Sequence, residues 1–247
     1  MAYAAPAQPA PGESLEALAA RDPLGFLQMA LDRYDRSVRD YTCTFTKQEL
    51  IGGKLSSEQV MEAYFREKPY SVRLDWIKNA DKCRRVLYVE DRWVEDGRQM
   101  AVVEPAGAIA QLFVSHVMRP INGDDARKSS RRTLDQFGLR NSLLLSLKYA
   151  KLAQEKRVLD FSFRGTGEVD QRPTLIFERR LPYEKEGGLW PDRVLVIHLD
   201  REWLIPLLCV SYSDDDKKAL LGRYHISNLK LNANLADTVF TKEGMGL

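Results

Sequence analysis

The chain has 247 residues, with 44% apolar and 29% charged side chains, an ordinary composition for a globular protein with a sizeable core. Its 37 basic and 35 acidic residues leave a net charge of +2, so the chain as a whole lacks the basic excess of nucleic-acid-binding proteins, and a site for an acidic partner would have to be local. No window of the sequence approaches the roughly 20 apolar residues of a membrane-spanning helix.

The N-terminal residues 1–12 are predicted to be a disordered linker. Ala2-Tyr3-Ala4 has the small-x-small pattern found before signal cleavage sites, and residues 5–12 (APAQPAPG) are rich in proline and alanine. This segment fits either the surroundings of a cleaved signal peptide or a disordered cytoplasmic tail. Residues 13–247 show no shift in composition and no internal repeat, which predicts a single domain.

Two strong helices are predicted. Ser14 is a candidate N-cap for a short helical stretch, and Pro23 lies in the first turn of a helix that runs to Val38. The second strong helix is predicted over Leu139–Glu155. The apolar side chains expected on the buried faces are Phe26, Leu27, Ala30, Leu31 and Tyr34 on the first helix and Leu143, Leu147 and Ala150 on the second.

Alternation of apolar and polar residues predicts about ten strands, whereas the apolar stretch Ala108–Met118 fits a helix or a strand equally well. Residues 119–132 are predicted to be a polar loop. These elements indicate an α+β protein in which a curved antiparallel sheet carries helices on one face. The predicted strands cover residues 41–51, 57–67, 70–77, 84–90, 93–103, 157–165, 174–180, 193–199, 204–213 and 221–231.

The three strands within Tyr41–Trp76 are the most informative part of the sequence. Their strict alternation predicts a sheet with one apolar face and one wet face. Gly52-Gly53 is the predicted turn between the first two strands, and Lys68-Pro69 separates the second from the third. Because an apolar sheet face must be covered, we expect the two strong helices to cover it.

Histidine is the first candidate for catalysis, and the sequence contains His116, His198 and His225. Their spacing matches no metal-binding motif, and we expect each to be structural. The sequence lacks a GxSxG nucleophile motif and a P-loop, and Gly165-Thr166-Gly167 lacks the third glycine of a dinucleotide-binding loop. We therefore expect no catalytic residue, no metal and no cofactor.

The three cysteines, Cys43, Cys83 and Cys209, form no CxxC pair. Cys43 and Cys209 lie in predicted strands, where a buried thiol that packs as a small apolar side chain is expected. One disulfide with one free thiol is the alternative.

A cluster of basic residues stands out against the balanced charge of the chain. A solvated loop is one interpretation of this cluster. The other is a docking site for an anionic membrane surface or an acidic partner, since each basic residue near such a surface contributes about 1 kcal/mol. The cluster comprises Arg127, Lys128, Arg131 and Arg132.

Several short segments resemble, in order, the LolA/LolB/RseB superfamily of bacterial envelope proteins, and more closely an uncharacterised exported family that shares its fold. Phe45-Thr46-Lys47-Gln48 is similar to an F-T-Q segment of the carriers, and residues 65–69 (FREKP) followed by 72–76 (VRLDW) are similar to their next pair of strands. Residues 235–240 (LADTVF) resemble the closing segment, and the similarity extends over residues 24–243.

The resemblance implies an incomplete antiparallel β-barrel whose concave apolar face is covered by helices, in a periplasmic or otherwise exported protein. In the carriers the cavity holds lipid acyl chains, and in the RseB-like members it senses mislocalised lipoproteins. A non-enzymatic protein that binds a lipid, an acyl chain or an acylated protein is therefore expected, and the inner aromatic residues fit such a pocket. The alternatives are an envelope protein-interaction or sensor module with a packed, ligand-free core, and an enzyme on the same fold. The side chains expected to line the site are Tyr41, Cys43, Phe45, Met61, Phe65, Leu74, Trp76, Phe161 and Phe163.

Lys68 departs from the pattern of the carriers. They have an arginine just before the strand-breaking proline, where it helps to latch the lid, and the matching residue here is Lys68. Lys68 is therefore the candidate latch, although a lysine is a point donor that cannot form a bidentate pair as an arginine does.

Overall fold

The computed structural model describes residues 12–107 and 114–247. The chain forms two compact units. Unit 1 comprises the chain up to Ser37 together with Leu139–Tyr224, and unit 2 comprises Val38–Gly138 together with His225–Leu247. The predicted linker, apart from Gly12, and residues 108–113 of the ambiguous apolar segment lie outside the described residues.

The helices are α1 (Leu15–Arg21), α2 (Pro23–Ser37), α3 (Asp124–Arg127) and α4 (Leu139–Glu155), with 3₁₀ turns at Leu134–Gln136, Asp237–Phe240 and Glu243–Met245. The strands are β1 (Asp40–Ile51), β2 (Lys54–Leu55), β3 (Gln59–Arg66), β4 (Ser71–Lys78), β5 (Cys83–Val89), β6 (Val94–Glu95), β7 (Arg98–Pro105), β8 (Val117–Pro120), β9 (Asp160–Val169), β10 (Arg172–Arg180), β11 (Val194–Asp200), β12 (Pro206–Tyr212) and β13 (Leu220–Leu231). Within the described ranges, no helix has the length and apolarity needed to cross a bilayer.

The strands form an open antiparallel sheet, which confirms the predicted α+β class. The order is β6-β7-β5-β4-β3-β1-β13-β12-β11-β10-β9, with β2 beside β1 and β8 beside β7. Strand β2 was missing from the prediction, because two residues are too few to show an alternation. Strand β6 falls within the predicted strand over residues 93–103, and β8 overlaps the ambiguous stretch Ala108–Met118.

The prediction of a polar loop over residues 119–132 was wrong in part. Strand β8 extends to Pro120, and α3 forms one helical turn inside the segment. Asp124 and Asp125 in the first turn and Arg127 in the last turn favour this helix, because acidic groups stabilise a helix N-terminus and basic groups stabilise its C-terminus.

Unit 1 packs its helices on the sheet as their apolar stripes predict. The Ser14 hydroxyl accepts a hydrogen bond from the Ala17 amide at 3.1 Å and caps α1. Helix α2 packs against α4 and β9, and α4 also packs against β12. All eight side chains predicted to be buried on the two strong helices are buried.

The strand register of unit 2 places the predicted apolar side chains opposite one another. Tyr41 pairs with Phe65 and Phe45 pairs with Met61 across β1 and β3, and the next strand, β4, places Trp76 opposite Met61. These side chains therefore share one face of the sheet. The Gly52-Gly53 turn is also confirmed, with φ of 56° and 78°, values that favour glycine because a Cβ would be strained there.

The opposite face of the three strands within Tyr41–Trp76 was predicted to be wet, and this was wrong in part, because an apolar cluster covers Tyr64 on that face. Leu87 and Val102 on that face are fully buried with Phe240 and Met245 of the C-terminal segment. Tyr64, which the alternation placed on the wet face, packs against the same cluster. The chain's own C-terminus therefore supplies a cover that the sequence did not predict.

Candidate functional site

An aromatic cluster centred on Phe65 lies on the inner face of unit 2, which is the face that carries Tyr41, Phe65 and Trp76. The Tyr41 and Phe65 rings stack with their centroids 4.8 Å apart, and Tyr70 meets Phe65 edge-on at 5.2 Å. Phe137 lies 6.2 Å from Phe65 and makes an edge contact with Phe45 at 5.1 Å. The strands thus bring together rings that the sequence predicted to line a binding site.

The segment just before α4 covers this cluster. The Tyr70 hydroxyl donates to the backbone carbonyl oxygen of Phe137 at 2.6 Å and also lies 3.2 Å from that of Leu134. Gly138 follows with a φ of 107°. A Cβ at this position would lie 3.1 Å from both the Phe65 ring and the Tyr41 hydroxyl oxygen, so glycine allows the segment to approach the rings closely.

Replacing Gly138 by alanine is expected to destabilise the protein by about 1–3 kcal/mol, because it combines an unfavourable positive φ with crowding of two rings. Chemical denaturation of the variant measures this change. Gly53→Ala is the control, since its φ is also positive but a Cβ there would meet nothing within 4 Å. Equal losses in the two variants would show that crowding at Phe65 contributes nothing.

Burial divides the predicted lining residues of unit 2 into two groups. Tyr41, Met61 and Phe65 have no exposed surface, and Cys43 and Leu74 are nearly as buried. Phe45 and Trp76 are only half-buried. The first group builds the core of the unit, and the second group lies on the same face with rings that a bound apolar molecule could cover.

The remaining two predicted lining residues belong to unit 1. Phe161 and Phe163 are half-buried on β9, the last strand of the sheet order. Both rings pack on the fully buried Phe177, at centroid distances of 5.7 and 5.6 Å, and Phe177 in turn contacts Phe26 of α2 at 5.3 Å. These rings form a second aromatic cluster, described here for unit 1 alone.

Arg66 contacts the C-terminal segment of unit 2, and the sequence did not predict this role. Its guanidinium hydrogen-bonds the Asp237 carboxylate and lies 4.7 Å from the centre of the Phe240 ring. Arg73 and Arg92 donate to backbone carbonyls of the same segment, at Gly244 (3.0 Å) and Phe240 (2.9 Å). Three arginines therefore hold this segment on the outer face of the unit.

Lys68, the predicted latch, is exposed in the turn between β3 and β4. It lies in the same FREKP segment as Arg66. The latch role of Lys68 stays a prediction. Arg66 shows that this segment supplies a guanidinium to hold another part of the chain.

The buried carboxylate of Glu49 on β1 binds the loop that carries the predicted basic cluster. That carboxylate accepts from the Lys47 ammonium at 2.8 Å, from the Ser130 hydroxyl at 3.0 Å and from the Arg131 amide at 3.1 Å. Arg127 donates to the Asn122 carbonyl at 2.8 Å. Arg127 and Lys128 are exposed, whereas Arg131 and Arg132 are half-buried. Two of the four basic side chains are therefore more exposed than the other two.

His198 and His116 both have polar side-chain contacts. His198 on β11 has Thr174 Oγ1 at 3.3 Å from its Nδ1 atom, and burial lowers the pKa of this imidazole. His116 contacts Ser115 at 3.0 Å and the Lys242 ammonium at 2.9 Å. Across residues 12–107 and 114–247, no three His, Cys, Asp or Glu side chains group as a metal site would require.

All three cysteines are free thiols. Burial is the main cause that raises the pKa of Cys43, Cys83 and Cys209 to about 12 in each case. The thiolate is the nucleophilic form of cysteine, so these groups are inert near neutral pH. The predicted burial is found at Cys43, whereas Cys209 is only half-buried.

A buried ion pair in unit 1 was also missed by the sequence analysis. Both carboxylate oxygens of Asp192 accept from Arg179 Nη2, at 3.0 and 3.1 Å, and the two side chains are 2% and 6% exposed. Arg179 also donates to the Ser146 carbonyl of α4 and lies over the Tyr149 ring. The pair therefore joins β10, α4 and the connection before β11.

Comparison with known proteins gives the family of the chain. The model of a family described as a protein of unknown function (DUF1571) matches residues 38–244. The chain belongs to the DUF1571 family. This match confirms the prediction of an uncharacterised family. No curated protein matches this DUF1571 chain.

Several solved structures are similar to this DUF1571 chain at low identity. The MucA/MucB complex of Pseudomonas aeruginosa is 17% identical over 87% of this chain and 60% of that one, with a TM-score of 0.49. The lipoprotein LppX of Mycobacterium tuberculosis is 12% identical over 87% and 98%, with a TM-score of 0.43. A putative outer membrane lipoprotein-sorting protein domain from Vibrio parahaemolyticus is 13% identical over 90% and 98%, with a TM-score of 0.39.

Proposed function

We propose that this DUF1571 protein is a non-enzymatic, exported protein of the cell envelope that binds a lipid or acyl-chain ligand on its apolar sheet face. The observation that carries the proposal is the pair of half-buried rings, Phe45 and Trp76, beside a fully buried aromatic core in unit 2. Burial of apolar surface contributes about 25 cal/mol per Å², so a flexible acyl chain that covers these rings gains free energy without any polar anchor.

The two half-buried rings lie on the same face, with Met61 between them in the strand register. Phe45 is held by its edge contact with Phe137, and the Trp76 indole N–H lies 3.3 Å from the Gln59 amide oxygen. Both rings are therefore fixed before a ligand binds, which reduces the entropy lost on binding. In unit 1, Phe161 and Phe163 offer a second set of fixed, half-buried rings.

Quenching of tryptophan fluorescence by a brominated fatty acid tests the proposal at one residue. The chain contains four tryptophans, and Trp76 and Trp93 are both half-buried in unit 2. Trp76 lies on the inner face, whereas Trp93 packs in the cluster around Phe240 on the other face. We expect Trp76→Phe to remove most of the quenching and Trp93→Phe to preserve it.

The unit 1 rings need a separate variant. The double variant Phe161→Ala, Phe163→Ala tests whether these rings contact the ligand. If the ligand binds on unit 2 alone, the quenching of Trp76 should stay intact. If the unit 1 rings also contact the ligand, the double variant should bind it more weakly. Native mass spectrometry of gently purified protein gives an independent measurement of a retained lipid. An absence of quenching together with an absence of lipid would refute the proposed function.

A protein-interaction or sensor module is the second candidate function. Its supporting observation is the complete burial of Tyr41, Met61 and Phe65, which fills the centre of unit 2 with the protein's own side chains. A stoichiometric protein partner recovered from an envelope extract, combined with no bound lipid, would favour this module over a lipid-binding protein.

A further inference from the structure

One end of the unit 2 sheet presents exposed apolar side chains among lysines. Strand β1 ends there at Ile51, β3 begins there, and β4 ends there at Lys78, as the antiparallel register requires. Leu55 lies in the hairpin after β1, and Ile77 lies near the end of β4. They are 42% and 61% exposed, and Ile77 has the highest exposed fraction among the large apolar side chains of the described residues.

Two hydrogen bonds hold the loops at this end beside one another. The Asn79 side-chain amide donates to the Glu58 carbonyl at 2.7 Å, which joins the turn after β4 to the segment before β3. The Ser56 amide donates to the Glu49 carbonyl at 2.8 Å, which closes the β1–β2 hairpin. Glu49 also binds Ser130 and the Arg131 amide, so the basic loop reaches the same end.

The charge at this end is basic, although the whole chain is nearly neutral. Asp81 and Glu58 accompany the three lysines of the hairpin and turns, and the buried carboxylates Glu49 and Glu104 are paired with Lys47 and with Arg84 and Arg85. In the neighbouring loop, Arg127 and Lys128 are balanced by Asp124 and Asp125, so the excess positive charge comes from the lysines of the hairpin and turns. The exposed lysines are Lys54, Lys78, Lys82 and Lys128.

We propose that this end of unit 2, with Leu55 and Ile77 among Lys54, Lys78 and Lys82, docks the protein on an anionic lipid bilayer surface. Apolar side chains that protrude among lysines suit the membrane interface, where the former enter the headgroup region and the latter contact anionic headgroups. An exposed apolar residue alone is ordinary on a protein surface, and the combination with local positive charge selects the partner. The proposal is independent of the acyl-chain site on the sheet face.

Vesicle co-sedimentation of the full chain tests the proposal. We expect binding to phosphatidylcholine vesicles that contain about 30% of the anionic lipid phosphatidylglycerol. Binding to vesicles of phosphatidylcholine alone should be weak. Replacing Lys54, Lys78 and Lys82 by glutamine should weaken binding about fivefold per lysine, and on the order of 100-fold together. Leu55→Ser with Ile77→Ser should weaken binding at high salt as well, because apolar insertion is not screened.

Matched controls come from unit 1, which has exposed residues of the same types. They are Lys156→Gln, Lys185→Gln and Lys218→Gln for the lysines, and Val158→Ser with Leu189→Ser for the apolar pair. These variants should bind like the wild type.

Equal binding to both kinds of vesicle, or equal losses in the control set, would overturn the proposal. No binding to anionic vesicles would also overturn it, even if an acidic protein bound this surface. Loss of fatty-acid quenching with vesicle binding retained would refute only the proposed function.

Discussion

Phe240→Ala is expected to lower the free energy of unfolding by about 3–5 kcal/mol, because it removes a fully buried ring and leaves a cavity in a small cluster. The ring packs with Leu87, Val89, Val102 and Met245. It also lies under the Arg66 guanidinium, and cation–π contacts add about 0.5–1 kcal/mol or more. Urea denaturation followed by circular dichroism measures the change.

Ile77→Ala is the matched control for this substitution, since Ile77 is in the same unit but is 61% exposed. Its effect should stay within about 0.5 kcal/mol. A loss below about 1 kcal/mol for Phe240→Ala would mean that the C-terminal segment contributes little to stability, in contradiction to the packing on the outer face of unit 2.

Removing one partner of the Arg179–Asp192 pair is expected to have a comparable effect. Asp192→Ala leaves the Arg179 guanidinium buried without its carboxylate, and breaking a buried pair in this way costs about 3–5 kcal/mol. The double replacement Arg179→Met with Asp192→Leu should recover much of the loss, because apolar side chains of similar volume remove the need to bury charge. Denaturation of Arg179→Met, Asp192→Leu and the double variant gives the coupling free energy directly.

The exposed pair Lys218–Asp216 supplies the control, with side chains 80% and 73% exposed and a separation of 3.2 Å. Asp216→Ala should change stability by no more than about 1 kcal/mol. If Asp192→Ala cost no more than this surface substitution, the Arg179 charge would have to reach water in the native state.

The strands and helices of this chain could be predicted closely because their signals are local. The alternation over Tyr41–Phe45 predicted the apolar face of β1, and the apolar stripe with Pro23 predicted α2. The same alternation predicts the lining residues on β1, β3 and β4. The sequence alone was therefore enough to place them on one face of unit 2.

The contacts that close each unit could not be predicted, because they join residues far apart in the sequence. Arg66 and Asp237 are 171 residues apart, and each is ordinary in its local context. Arg179 lies in a predicted strand, and its burial depends on hydrogen bonds to Asp192 and Ser146, which are 13 and 33 residues away in the sequence. The resemblance identified the segment that ends at Phe240 but gave no information about the face on which it packs.

The raised pKa values of the three thiols have a practical consequence for spectroscopy. Because their pKa values are raised to about 12, maleimide reagents at neutral pH find almost no thiolate on the natural chain. A single reporter introduced at an exposed position by Ile77→Cys or Lys218→Cys is therefore expected to react faster than Cys43, Cys83 or Cys209, and mass spectrometry of the labelled protein measures this difference. The protein is in this respect ready for fluorescence measurements of depth at a bilayer and of distance between labelled positions.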